Sequence, residues 1–506
     1  MKILNKIDKF LNSITMYRLV LYGLSVLALF SFAFSLFGII HYSFSSLLLS
    51  LIFLISICYL TNFLFSKIFK ARVNIESTFI SAFILFFIIS PAQTSNDIKI
   101  IFIAGIIAMA SKYLIAYKTK HIFNPVGISA VIISLFGSGN VIWWVGSKFL
   151  LPIVLIVSLL IVRRIRRFSM FLSFVAISIS VMTAIQYMRG FGNISDLLFQ
   201  NIFSWPTIFF AGIMFTEPLT TPPTQKLKIT YAILVALLFS TPYNFGVISS
   251  SPEMALILAN LAFYLYKPKK KLILSLIEKK EIAKDIFEFS FRPNDIVHFK
   301  AGQYFEWTLE HSGADNRGER RYFTIASSPT EKDIKIGVKF NPNSSSFKNS
   351  LLALKINDGI SVGSLDGDFI LPQDKNKKLV FIAGGIGVTP FRSMIKYMID
   401  TKEKRSVTLF YSVKSPEEIA YRDIFEQAEK EFDFKVVYIV SENSALDWSG
   451  ETGYITQEML KKYVPDYTNR DFYMSGPGAM VDAYKKMVRE MGINNKHIHT
   501  DYFPGF

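Results

Sequence analysis

The sequence predicts a polytopic α-helical membrane domain of about ten spans, then an antiparallel β-barrel, then an α/β domain with a parallel sheet. Three observations carry this. Of 506 residues, 51% are hydrophobic and 19% charged, with 48 Phe, and mean hydropathy is +0.35, which excludes a disordered or ordinary soluble chain. Apolar segments in the first half alternate between basic and uncharged loops. After Lys271 charge becomes frequent and apolar residues begin to alternate.

Composition narrows the chemistry further. The length suits three or four units of roughly 100 to 200 residues each. The single cysteine, Cys58, excludes an intramolecular disulfide, a Cys-ligated zinc site and an Fe–S cluster held by this chain alone. No residue cluster reads as a metal site, so redox chemistry here needs another cofactor. The net charge of +16 sits beside apolar runs and does not interleave with aromatics on a polar face, so it reads as membrane topology and not as a nucleic-acid surface.

From Leu19 to Ser66 there is no Lys, Arg, Asp or Glu, enough for two spans of about 20 residues each, divided near His41 to Ser46. The apolar stretch continues where a signal peptide would end, so the N-terminus is expected to be retained. Further apolar segments run at 77–91, 98–117, 122–137, 141–162, 168–188, 197–216, 229–242 and 252–266. Basic residues precede the first span (Lys2, Lys6, Lys9, Arg18) and follow the second (Lys67, Lys70, Arg72), fourth (Lys118, Lys120), sixth (Arg163, Arg164, Arg166, Arg167), eighth (Lys226, Lys228) and tenth (Lys267, Lys269, Lys270, Lys271). Every second loop is basic, which places both termini in the cytoplasm.

In the second half, Ile282 to Phe291 and Asp333 to Phe340 read as short barrel strands. An apolar strand at Leu379 to Ala383, a glycine turn, a helix at Phe391 to Asp400 and a strand at Ser406 to Tyr411 make a βαβ unit. The turn is Gly384-Gly385-Ile386-Gly387-Val388-Thr389-Pro390, with Thr389 expected to cap the helix and Pro390 to start it. Such glycines let a backbone approach a pyrophosphate at a helix N-terminus. Taken alone, the turn serves a plain strand-to-helix connection equally well.

Arg320-Arg321-Tyr322-Phe323-Thr324-Ile325-Ala326-Ser327-Ser328-Pro329 adds context. On one strand a guanidinium, an aromatic ring and a hydroxyl can pair a phosphate, face a flat ring and reach a ring nitrogen. With this motif the region from about 270 to 506 resembles the ferredoxin-NADP reductase superfamily of flavin reductases. The resemblance implies an FAD-binding barrel and an NAD(P)-binding α/β domain. It assigns Arg321 to the flavin phosphate, Phe323 to the isoalloxazine face in place of the usual Tyr, and Thr324 to the ring's N5, with Tyr322 as a further cofactor contact. Ser344-Ser345-Ser346-Phe347-Lys348 resembles the second phosphate loop, so Ser345, Ser346, Phe347 and Lys348 are implied FAD contacts, followed by a Gly-Asp-Phe turn at Gly367-Asp368-Phe369. Gly384, Gly385, Gly387, Val388, Thr389 and Pro390 match the nicotinamide-dinucleotide loop. Tyr473-Met474-Ser475-Gly476-Pro477 matches the Cys-Gly-Pro segment beside the nicotinamide, with Ser475 where a Cys is common and Gly476 and Pro477 as cofactor contacts. The tail Asp501-Tyr502-Phe503-Pro504-Gly505-Phe506 resembles the ending that covers the flavin, with Asp501 as a polar partner and Phe506 as a cover. Thr324, Ser475 and Asp501 are the implied catalytic set. Lys414, in Tyr411-Ser412-Val413-Lys414-Ser415, leaves NADH against NADPH open.

The electron acceptor is sought in the membrane half. Haems held by paired intramembrane histidines would make a ferric reductase or NADPH-oxidase-like protein, but only His41 and His121 lie there, at opposite predicted ends. Phe123-Asn124-Pro125-Val126-Gly127 and Phe215-Thr216-Glu217-Pro218-Leu219-Thr220-Thr221-Pro222-Pro223-Thr224 instead resemble two stretches of the RnfD/NqrB family over about 70 to 265. That resemblance implies a second flavin, FMN or riboflavin, although the family's Gly-Ala-Thr-type flavinylation loop has no counterpart here. Prolines free backbone groups, which is tolerated where they line a cavity or a cofactor. Asn124, Glu217, Thr220, Thr221 and Thr224 are therefore membrane-domain candidates, with Lys112 as an intramembrane cation.

The expected organisation is a transmembrane domain over 1–266, a basic linker over 267–273, an FAD-binding barrel over 274–375 and an NAD(P)-binding domain over 376–506. The expected function is a flavin-dependent NAD(P)H oxidoreductase in the cytoplasmic membrane, its reductase domain cytoplasmic. It passes electrons to a flavin, quinone, flavoprotein or extracytosolic acceptor, alone or with other redox subunits. The other readings are an ion or solute transporter with a fused flavin reductase, and the haem reductase.

Overall fold

The computed structural model describes residues 2–70, 75–117, 120–135, 141–218, 220–222, 224–246, 248–266, 272–441 and 448–503. The chain divides into two compact units, Met1–Lys270 and Lys271–Phe506.

In the first unit the described residues form twelve α-helices: α1 (Lys2–Ser13), α2 (Met16–Leu36), α3 (Phe44–Ile68), α4 (Ile75–Ile88), α5 (Ser95–Leu114), α6 (Pro125–Leu135), α7 (Leu151–Ile165), α8 (Phe168–Met188), α9 (Ile194–Phe203), α10 (Thr207–Phe209), α11 (Gln225–Ser240) and α12 (Pro252–Tyr266). α10 runs on as a π-helix, Phe210–Phe215. Each of the ten apolar segments contains helix, but ten full-length spans are not what the described residues form. By length and composition α2, α3 and α8 are long and apolar enough to cross a membrane, and a fourth span arises if α9 and Thr207–Phe215, bent by 51°, count as one. The difference lies in helix punctuation. Pro91, Pro125, Pro152, Pro206 and Pro252 fall at or near helix boundaries, because proline lacks the N–H and clashes with the preceding turn. α7, with Pro152 in its first turn, has 15 residues, about 22 Å at 1.5 Å per residue, against a hydrocarbon core of about 30 Å. α5 has 20 residues but carries Asp97, Lys99 and Lys112. His41 lies exposed in the turn between α2 and α3, and the side chain of His121 lies outside those described.

The long helices are apolar outside as well as inside. Leu24, Leu27 and Leu54 are buried, while Leu29, Leu60 and Leu172 remain 66%, 60% and 57% exposed. Such a surface needs an apolar surrounding.

The second unit opens with six antiparallel strands: β1 (Leu272–Ala283), β2 (Ile286–Pro293), β3 (Tyr304–Thr308), β4 (Arg320–Thr324), β5 (Ile334–Lys339) and β6 (Gly359–Asp366), ordered β4-β3-β6-β1-β2-β5. They curl round one core that holds Leu276, Phe291, Trp307 and Ile336. The edges approach where the Ala326 N–H donates to the Lys335 carbonyl at 2.7 Å. α13 (Ser346–Ala353) follows β5.

The rest is a six-stranded parallel sheet: β7 (Lys378–Gly384), β8 (Val407–Val413), β9 (Phe434–Val440), β10 (Glu451–Thr452), β11 (Arg470–Pro477) and β12 (Ile498–Phe503), ordered β10-β9-β8-β7-β11-β12. β7 is a continuous apolar run, Leu379 to Ala383, because both its faces are covered. α14 (Thr389–Asp400) and the helix Gly478–Glu490 are among the helices that cover it. Arg392 on α14 is buried and ties the two sheets together. It donates to the Ala326 carbonyl at 3.0 Å and pairs with Glu331. Burial pushes the Glu331 carboxyl up, but the hydrogen bonds and charge of Arg392, with the Ser328 N–H and Lys335, outweigh it and hold the group below its ordinary value. Removing one partner would strand the other charge, at a cost of about 3–5 kcal/mol.

Candidate functional site

The sharpest convergence lies at the carboxyl edge of the parallel sheet. β7 ends in the turn Gly385–Val388, a 3-10 helix, and α14 begins at Thr389 with Val388 as its N-cap. Thr389 is therefore not the cap; its hydroxyl donates to the Ile386 carbonyl at 3.1 Å. The short turn takes up one more residue than the motif suggests, and Pro390 falls within the first helical turn, where no N–H is needed. Gly385 has φ +52, a left-handed conformation that favours glycine. Gly387 is required by contact: a Cβ there would lie 2.5 Å from the Ser475 carbonyl oxygen and 2.6 Å from the Gly476 Cα.

That contact brings the dinucleotide turn against the end of β11. Strand register completes the group, with Ser475 beside Ala383 and opposite Asp501 on β12. Ser475 is fully buried and its hydroxyl has no hydrogen-bond partner among the described residues. A buried orphan hydroxyl costs about 1–3 kcal/mol and supplies a donor to a polar ligand group. Met480 closes over Gly384 and Gly476. Pro477 ends β11 and is exposed. Phe506 lies outside the described residues.

A second group surrounds the start of α13. Along β4, Arg321 and Phe323 are half-buried, Thr324 is buried and Tyr322 is exposed. Tyr322 faces the other way, where its hydroxyl donates to Glu306 at 3.2 Å and its ring meets Tyr304 at 5.7 Å. Phe323 packs on Phe347, centroids 5.8 Å apart, and the Arg321 guanidinium lies 5.3 Å from the Phe347 centroid. Arg321 donates to the carbonyls of Arg317, Gly318 and Arg320 at 2.8, 2.8 and 2.7 Å, and to Asp315 at 3.1 Å. Ser345 caps α13 by accepting from the Lys348 N–H at 3.3 Å. The Ser346 N–H donates to Asp315 at 3.3 Å, and the Ser346 hydroxyl accepts from the Asp315 N–H at 2.9 Å.

The electrostatics mark an anion cradle. Burial, then the charges of Arg317, Arg321 and Lys339, lower Lys348 to about 8. Burial pushes the Asp315 carboxyl up, but the Arg317 N–H and the charges of Arg321 and Arg317 bring it below the ordinary range. The Asp315 carboxylate thus sits where two guanidiniums and a helix N-terminus converge, the donor set that suits a phosphate. The residues fit the phosphate end of a flavin dinucleotide. Asp315, Arg317 and His311, which meets Ser346 at 3.0 Å, are not singled out from the sequence. Five charged residues among the seven from Asp315 to Arg321 are the signal that would have found them.

Comparison with known proteins agrees with this geometry. The family model described as Oxidoreductase NAD-binding domain matches residues 381–486. The C-terminal unit therefore carries an NAD-binding oxidoreductase domain, and the relatives support FAD and NAD(P)H as its cofactors. The chain is 28% identical over 233 residues to the flavohemoprotein of Bacillus subtilis (strain 168), covering 45% of this chain and 57% of that one. It is 28% identical over 225 residues to the glycine betaine monooxygenase reductase subunit of Chromohalobacter salexigens, covering 43% and 60%. It is 29% identical over 225 residues to NADH-cytochrome b5 reductase 1 of Aspergillus oryzae, covering 42% and 77%. The chain therefore matches less than two thirds of the first two relatives' length. None of these comparisons bears on an RnfD/NqrB-like membrane domain.

In the first unit a small cavity of about 50 Å³ is lined mainly by apolar side chains and by Ser77, Asn124, Thr216 and Glu217. The Asn124 carboxamide oxygen accepts from the Val126 and Gly127 N–H groups at 3.0 Å each, starting α6, while its amide donates to Glu217 at 2.9 Å. Lys112 donates to the Ser77 hydroxyl at 3.0 Å and carbonyl at 3.2 Å. Asn124, Glu217 and, through Ser77, Lys112 are brought together. Of the candidate threonines only Thr221 joins them by a hydrogen bond among the described residues. Thr221 donates to the Glu217 carbonyl at 3.0 Å and accepts from Arg167, Thr220 is buried without a hydrogen-bond partner among the described residues, and Thr224 precedes α11 without a side-chain cap bond.

Proposed function

We propose that the protein is a membrane-bound, flavin-dependent NAD(P)H oxidoreductase. Its C-terminal unit takes reducing equivalents from NAD(P)H in the cytoplasm, and its helical unit passes them to a flavin, quinone or extracytosolic acceptor in or across the membrane. The observation that carries the reading is the approach of Gly387 to Ser475 and Gly476, which joins a dinucleotide turn to a buried hydroxyl without a partner.

When bound, FAD accepts two electrons as hydride and releases them singly. The polypeptide's part is to bind and orient. Arg321, Arg317, Lys348 and the start of α13 hold the flavin phosphates, with Asp315 yielding the anion position. Phe323 offers an apolar face and Thr324 a hydroxyl. Gly384 to Val388 cradle the pyrophosphate of the nucleotide at the head of α14. Ser475, beside Asp501, offers its hydroxyl to the nicotinamide end, and Met480 shields that edge from water.

For the helical unit, the outward-facing leucines of α2, α3 and α8 favour a multi-pass segment in the cytoplasmic membrane. The basic residues Arg163, Arg164 and Arg167 gather at one end, where Arg163 pairs with Asp8 at 2.7 Å and Arg167 donates to the Thr216 carbonyl at 3.1 Å. In this reading the end of the helical unit that carries these basic residues faces the cytoplasm. Glu217→Gln keeps the shape of the side chain and removes its charge. It is expected to slow acceptor reduction at least about tenfold while NAD(P)H bleaches the bound flavin at the parent rate. Rapid-mixing spectroscopy with and without an acceptor measures both, and equal loss of the two rates contradicts this division of labour.

A further inference from the structure

The carboxyl edge of the sheet also bears on which nucleotide is used, an inference that rests on the reading above. A dinucleotide with its nicotinamide end at Ser475 on β11 and its pyrophosphate on the turn after β7 continues over the next strand, β8. Ser412 of β8 lies opposite Gly384, so the residues after Val413 flank the same turn.

That segment, Lys414 to Asp423, carries three carboxylates and two cations, and its polar groups are arranged around the carboxylates. Pro416–Glu418 form a 3-10 turn. Glu418 is paired with Lys339 at 2.6 Å. The Arg422 guanidinium lies 5.5 Å from the Tyr438 centroid. Glu417 is exposed, its carbonyl fixed by the Lys284 N–H at 2.9 Å. The Ser415 hydroxyl, then the Glu417 N–H, then the Lys284 charge hold its carboxyl below the ordinary range. It is therefore an anion throughout the neutral range. A 2′-phosphate brings about −1.5 to −2 charges and needs cations held ready for it. Here Lys339 is occupied by Glu418, Ser415 is turned to Glu417, Arg422 lies by the Tyr438 ring, and Lys414 is exposed beside a fixed anion.

We infer that Glu417 is a specificity-determining residue that accepts hydrogen bonds from the adenosine ribose hydroxyls and repels a 2′-phosphate, so that the protein uses NADH in preference to NADPH. A carboxylate suits a vicinal diol and opposes a phosphate at the same place.

The test uses the full chain, purified in detergent with its flavin, and compares kcat/KM for NADH and NADPH with ferricyanide as acceptor. The expected preference for NADH is about 100-fold or more. In Glu417→Arg the ratio is expected to fall at least about tenfold, mainly through KM, with bound flavin content unchanged. Equal use of both nucleotides, or a preference for NADPH, overturns the inference. A preference for NADH that survives both Glu417→Arg and Glu417→Gln overturns the assignment to Glu417. Failure of either nucleotide to reduce the flavin contradicts the proposed function itself, which separates the two.

Discussion

Gly387→Ala is expected to cut kcat/KM for NAD(P)H by about 100-fold while the protein keeps its FAD. The added Cβ would run into the backbone at the end of β11: the Ser475 carbonyl oxygen at 2.5 Å, the Gly476 Cα at 2.6 Å and the Gly476 nitrogen at 2.7 Å. No side chain can rotate away, so the turn and the end of β11 must separate. Overpacking of this kind costs about 1–3 kcal/mol of stability. The larger effect falls on catalysis, because a displacement of about 1 Å between reacting groups costs about 100-fold in rate. Gly385→Ala makes an informative control. Its Cβ would meet nothing within 4 Å, so its cost is that of the left-handed backbone alone, about 1 kcal/mol. Flavin content, melting temperature and steady-state rates of the two variants separate close contact from backbone strain. Parent-like turnover by Gly387→Ala would remove the dinucleotide turn from the site.

Arg321→Ala is expected to release FAD, raising its dissociation constant by about 10- to 100-fold. Hydrogen bonds to charged groups contribute about 1.5–3 kcal/mol each, and Arg321 is the cation placed between Asp315, at 3.1 Å, and the ring of Phe347. Its loss also leaves Asp315 facing Arg317 at 3.3 Å with one guanidinium fewer, so the carboxylate competes less well as a placeholder and the loop carbonyls lose their donor. Arg321→Lys retains the charge but not the planar fork, and is expected to fall between the parent and Arg321→Ala. Fluorescence of flavin released on dilution measures the constant, and a melting curve taken with it shows whether the loop has collapsed. Unchanged flavin retention in Arg321→Ala would remove this residue from the phosphate site.

What the sequence discloses depends on how local each signal is. The strand Leu379 to Ala383 is legible because a central parallel strand is apolar on both faces, and it appears as Lys378–Gly384. The glycine turn is legible because few residue types can approach a neighbouring strand so closely. Helix lengths in the first unit are not legible from hydropathy, which stays high across Pro125 and Pro206 while the backbone hydrogen-bond ladder breaks there. The Asn124–Glu217 hydrogen bond joins positions 93 residues apart, and only the flanking prolines hint that both stretches line a cavity. Asp315 escapes for a different reason: its role comes from α13 reaching back across the barrel end, a tertiary contact with no periodic trace. Tyr322 and Phe323 are adjacent in the motif, yet the period of two in a strand sends them to opposite faces, so only Phe323 joins Arg321 and Phe347.

The central claim is that the C-terminal unit carries FAD reducible by NAD(P)H and that the chain works without haem of its own. One anaerobic absorption experiment on the detergent-purified protein tests it, recording the visible spectrum before and after addition of NADH or NADPH and then counting flavin released by acid. The account predicts an oxidised flavin spectrum without a Soret band, at least one releasable FAD per chain, and bleaching on addition of nucleotide. A flavin that neither nucleotide bleaches, or a chain purified with haem and no flavin, would contradict it.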